Sequence, residues 1–115
     1  AVGALRAHGS SPRVQAYGLA ALRWLVQDSA TEAARLASLS GAELILEALR
    51  GHPAATTVQE CGCALLREIA WGRPEDRAQV LRLGGAQAVL QALRAHPTLQ
   101  LVQASGCSLL HCFAL

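Results

Sequence analysis

The sequence predicts an all-α chain, built as an α-solenoid from a short helical unit written more than twice. Three observations carry that expectation. Alanine supplies 23 and leucine 20 of the 115 residues, and Ala, Leu, Arg, Gln and Glu are the best helix formers. A β-sandwich or barrel would want more Val, Ile, Thr and aromatic residues. An internal repeat then fixes the unit. Ala4-Leu5-Arg6-Ala7-His8 recurs as Ala48-Leu49-Arg50-Gly51-His52 and as Ala92-Leu93-Arg94-Ala95-His96, always 44 residues on. Residues 48–70 and 92–114 share 12 identities in 23 positions without insertion. Finally, Gly and Pro divide each unit into three helical stretches.

The first helix is expected over about residues 31–39 and 75–83. Pro74 stands at its start, followed by Glu75 and Asp76, which suit the positive end of the helix dipole. Gly41 and Gly84-Gly85 end these helices and permit a sharp corner. The second helix covers about 42–51 and 86–95. Its apolar positions Ala42, Ile45, Leu46 and Leu49 return as Ala86, Val89, Leu90 and Leu93 with helical periodicity. Pro53 and Pro97 stop it. The third helix is the longest, over about 12–26, 56–70 and 98–113. Its stripe reads Val58, Gly62, Leu65, Leu66 and Ile69, at helical spacing. A glycine inside a helix costs about 1 kcal/mol relative to alanine. Gly18, Gly62 and Gly106 share one position, so another helix is expected to cross closely there.

Corner, stripe and breakers together resemble the armadillo repeat family. The residues that carry the resemblance are Gly84-Gly85-Ala86, Val89-Leu90, Ala92-Leu93, His96-Pro97, Val102-Gln103, Gly106-Cys107 and Leu109-Leu110. The likeness spans essentially all 115 residues and implies a right-handed α-solenoid of three-helix armadillo-type repeats. The chain then reads as one armadillo-repeat domain over 1–115, with a partial unit at 1–26 and units at 27–70 and 71–115. Its Val-Gln-x-x-Gly-Cys pattern is similar to armadillo regions attached to large multidomain proteins, including some kinases. Ala1 and Val2 align with Ile45 and Leu46, so the chain is expected to open inside a second helix and to hold about 2.6 units. Solenoids need polar caps over their terminal units. Uncapped ends lead to the expectation of a piece of a longer array, able to associate end to end.

The resemblance also implies a function, a protein-interaction scaffold. In armadillo proteins the third helices line a concave face that takes up a peptide or a partner helix. On that alignment the face carries Tyr17, Ala20 and Trp24, then Cys61, Ala64 and Glu68 with Trp71 beyond, then Ser105, Ser108 and Cys112. Cys61 and Cys112 are expected to be partly exposed there. Importin-like members hold peptide backbone with a ladder of asparagines. Trp24, Glu68 and Cys112 stand where those would be, and the chain has no asparagine. Capture of a nuclear localisation peptide is therefore not expected. Tyr17 and Trp24 lie two turns apart on one helix face, and both residue types are enriched in binding hot spots. The alternative is a structural spacer or self-association segment within a larger protein, with the two aromatics packed at the groove edge.

Other chemistries find little support. A net charge of +2 is too small and too evenly spread for nucleic acid or an anionic membrane surface. No apolar run reaches the roughly 18–20 residues of a membrane span. Cys61, Cys63, Cys107 and Cys112 read as reduced thiols in an intracellular protein, cytoplasmic or nuclear. Cys63 and Cys107 are expected to be small apolar fillers between units. His8, His52 and His96 repeat at the ends of second helices, where imidazoles can bond the last carbonyls. Stacked helices lie about 10 Å apart and zinc ligands must reach within about 2.3 Å of one ion, so these histidines read as structural. No metal, cofactor or enzyme activity is expected, since neither Asp28 nor Asp76 has a His–Ser partner in the repeat map. Residues 73–77 read as a solvated helix start.

Overall fold

Each helix boundary in the second half of the chain repeats one in the first half. A computed structural model describes residues 6–27 and 29–115. Among these residues the chain forms seven helices and no strand: α1 (Pro12–Val26), α2 (Ala30–Ser38), α3 (Gly41–Gly51), α4 (Thr56–Ala70), α5 (Pro74–Arg82), α6 (Gly85–Ala95) and α7 (Gln100–Ala114). The starts and ends of α2, α3 and α4 return in α5, α6 and α7 at an offset of 44 residues, and α1 relates to α4 in the same way. The expected boundaries hold to within two residues. The expectation that the chain opens in a second helix rests on residues 1–5, outside the described residues.

Local chemistry accounts for the starts. Ser11 and Ser29 are N-caps whose hydroxyls accept from the Val14 and Glu32 amides, both at 3.3 Å. Pro12 and Pro74 occupy first-turn positions that need no amide donor. The corner between first and second helices turns on a left-handed residue, Ser40 at φ 62° and Gly84 at φ 86°. The following glycines, Gly41 and Gly85, begin the next helix because a Cβ there would collide with the Leu36 or Val80 backbone. One expectation at residues 73–77 is corrected: Asp76 is buried and accepts from Arg73 at 2.9 and 3.3 Å, anchoring the start of α5.

The long helices stack, α1 on α4 and α4 on α7, while α3 crosses α4 and α6 crosses α7. The crossing falls at the repeated glycine. A Cβ on Gly62 would meet Leu49 Cδ2 at 2.7 Å, and one on Gly106 would meet Leu93 Cδ2 at the same distance. Between the layers lies one core containing Leu19, Ile45, Leu46, Val58, Leu65, Leu66, Ile69, Val80 and Leu109. No helix among the described residues is long and apolar enough to cross a membrane.

Polar side chains repeat as faithfully as the apolar ones. Gln59 donates to the Leu49 and His52 carbonyls at 3.0 Å, and Gln103 to those of Leu93 and His96 at 3.1 and 3.2 Å. Each glutamine thereby closes the free carbonyl end of a second helix. Arg6 donates to the Leu39 carbonyl at 3.1 Å, and Arg50 to the Leu83 carbonyl. The histidines correct an expectation. His52 Nε2 donates to Gly9 O and His96 Nε2 to Pro53 O, both at 2.8 Å. These carbonyls belong to the preceding turn of the stack, not to the histidine's own helix. The imidazoles tie neighbouring units together.

Candidate interaction face

The face expected to bind a partner is assembled from α1, α4 and α7, side by side. A depression of about 170 Å³ opens among Arg23, Gln27, Ala64, Arg67, Glu68, Leu101 and Ser105. A second, of about 210 Å³, adjoins it and is lined by Arg67, Glu68, Trp71 and Ser108. Arg67 and Glu68 line both, so the two form one shallow groove over the stacked helices. In its floor Ser108 Oγ accepts from Trp71 Nε1 at 2.9 Å and from Arg67 Nε at 3.1 Å. The Trp71 ring also leans on the His111 imidazole, with centroids 6.0 Å apart. Arg67 Nη1 lies 4.0 Å from Glu68 Oε1, a contact between exposed groups that contributes little.

The predicted residues divide into three sets. Glu68, Trp71 and Ser108 are brought together in the groove, with Ser105 at its edge although that residue is almost fully buried. Tyr17 and Trp24 are exposed but line neither depression. Cys61 and Cys112 correct the expectation of partial exposure, because both are buried. Cys112 Sγ donates to the Ala70 carbonyl at 3.4 Å, and Arg77 Nη1 approaches the sulfur at 3.9 Å. Cys61 lies beside the Arg23 guanidinium, yet burial dominates and pushes its thiol up. Cys112 lies against the end of the preceding long helix at Ala70, although Glu68, its equivalent 44 residues earlier, lines the groove. Cys63 is a buried filler as expected, its thiol pushed up to about 12 by burial. Cys107, the equivalent residue of α7, is exposed, which corrects the expectation that it fills space between units.

A set of basic residues went unnoticed in the sequence although its signal was there. Arg23, Arg67 and His111 occupy one register position, 44 residues apart, and two of the three line the groove. One position before Trp24, Glu68 and Cys112, this register carries two guanidinium groups and an imidazole. Among the described residues no three His, Cys, Asp or Glu side chains gather as a metal-binding group. No protein-family model, curated protein or solved structure matches the chain.

Proposed function

We propose that the chain is an armadillo-type α-solenoid that serves as a protein-interaction scaffold, taking up a partner peptide or helix across α1, α4 and α7. The observation that carries this reading is the groove over the stacked helices, with Arg23 and Arg67 in register along it and Trp71 and Ser108 beside Arg67. Guanidinium groups pair bidentately with carboxylates, and a half-exposed tryptophan offers apolar contact area. The favoured partner is therefore an extended or helical segment with acidic side chains beside apolar ones. The groove's shallow, open form suits a polypeptide better than a small molecule, which needs a concave pocket that encloses it.

A peptide array tests the proposal when it is probed with the wild-type chain and with Arg67→Glu. Wild type should bind acidic sequences and the variant should lose them while unfolding at the same urea concentration. Binding unrelated to peptide charge, or unchanged by the substitution, removes the reading. The alternative of a structural spacer predicts no selective binding from either chain.

A further inference from the structure

The groove carries both signs of charge, and its two halves divide them unequally. Arg23 and Arg67 stand with Glu68 around the first depression, a surplus of positive charge, whereas Arg67 and Glu68 balance around the second. Glu68 lines both halves, yet among the described residues its carboxylate is poorly met. Its ion-pair contact is Arg67 Nη1 at 4.0 Å, beyond hydrogen-bonding reach. Arg67 is held elsewhere, with Nε on Ser108 Oγ at 3.1 Å. The Glu68 side chain is 37% exposed, so solvent reaches its oxygens. A partner laid across the groove strips that solvent, and an acceptor left buried without a donor costs more than a hydrogen bond normally contributes. A segment of acidic and apolar side chains alone offers Glu68 no such donor.

Trp71 completes the setting. Its ring is fixed by two contacts: Nε1 donates to Ser108 Oγ at 2.9 Å, and the ring leans on His111 with centroids 6.0 Å apart. The residue still leaves 43% of its surface exposed, in the same depression as Glu68. An indole and a carboxylate side by side make a seat for a cation, which both attract. We propose that the partner segment carries a basic side chain beside its acidic one, the acid seated on Arg23 and Arg67 and the base between Glu68 and Trp71. This inference rests on the acidic-partner reading of the groove and adds the opposite charge to it. The signs then alternate across the complex: partner carboxylate, Arg67, Glu68, partner cation. Arg67 is a like charge to that cation, but it is flanked by two carboxylates, Glu68 and the partner's. Complementarity of this kind fixes which partner binds and in which direction it lies.

Fluorescence anisotropy with labelled synthetic peptides of glycine and leucine tests it. One glutamate and one arginine are placed in each peptide at increasing spacing, and the tightest binder is remade in two neutral copies. In one, citrulline replaces arginine with the same shape and no charge; in the other, glutamine replaces glutamate. Wild type should bind the arginine peptide about fivefold more tightly than the citrulline copy, the effect of one pair of unit charges roughly 4 Å apart in water. That preference should shrink as salt is raised. Glu68→Gln should bind the arginine and citrulline peptides equally, and Glu68→Asp, which keeps the charge, should restore the preference. Equal binding of the two peptides by wild type overturns the proposal, and the acidic-partner reading survives if the glutamine copy is still the weaker. A preference for arginine that persists in Glu68→Gln also overturns it, since the cation then sits elsewhere. If replacing glutamate changes nothing, or no peptide binds, both readings fall together.

Discussion

Helices α1 and α4 are copies of one element, yet the same register positions lead opposite lives in them. In α4 the residues Cys61, Leu65 and Ile69 are buried, whereas their equivalents Tyr17, Ala21 and Leu25 in α1 are exposed. Helix α4 is packed on both sides, by α1 and by α7; α1 has only α4 beside it among the long helices described. The difference teaches that burial here belongs to the place in the stack and not to the residue type. A tyrosine and a cysteine hold the same position and differ because, among the described residues, only the cysteine has a long helix packed before it.

The largest break in the comparison should come from truncating equivalent apolar residues. Ile69→Ala should cost about 2–5 kcal/mol, because it opens a cavity between packed layers. Leu25→Ala, at the equivalent position, should cost about 0.5 kcal/mol or less. Urea denaturation of the two variants checks this, and equal losses would refute the claim that place in the stack decides burial.

Alkaline pH should weaken the sandwiched helix through its thiols. Burial raises Cys63 from 9.0 to about 12 and raises Cys61 in the same direction. The folded state therefore keeps these thiols neutral after the unfolded chain has begun to ionise. Their contribution is fully present below pH 9.0 and is lost as pH climbs toward about 12. The slope is roughly 1.4 kcal/mol per pH unit for each fully protected thiol. Urea midpoints at pH 8 and 10 should fall accordingly, and Cys63→Ala should flatten that fall.

The smallest effect separates the two crossing glycines. Gly62→Ala presses on Leu49, which is buried, and should cost about 1 kcal/mol after the gain in helix propensity. Gly106→Ala presses on Leu93, which is only partly buried and can swing outward, so it should be near neutral. Thermal unfolding of both variants measures the difference.

Element boundaries were legible because Gly, Pro and Ser punctuate a unit that is written repeatedly, so each boundary is signalled more than once. The groove was legible only in part. Glu68, Trp71 and Ser108 were placed on the face by family alignment and do meet there. Cys61 and Cys112 were misplaced because their burial comes from the long helix packed before them, and the register alone does not decide it: Glu68 shares the position of Cys112 and lines the groove. The register of Arg23, Arg67 and His111 is readable from the 44-residue offset alone. The acceptors of His52 and His96 lie 43 residues away, a distance that no local pattern encodes.

Those histidine and arginine braces have a consequence for how such a chain can change in length. Each is anchored to a carbonyl one turn of the stack away, in a loop or helix end that has its own counterpart 44 residues away. Removal or duplication of one whole unit therefore leaves every surviving brace with an equivalent partner, and no joint has to be redesigned. The stack behaves as a ruler whose graduations are interchangeable, so its span can be reset by copying a segment of DNA before any side chain has to adapt.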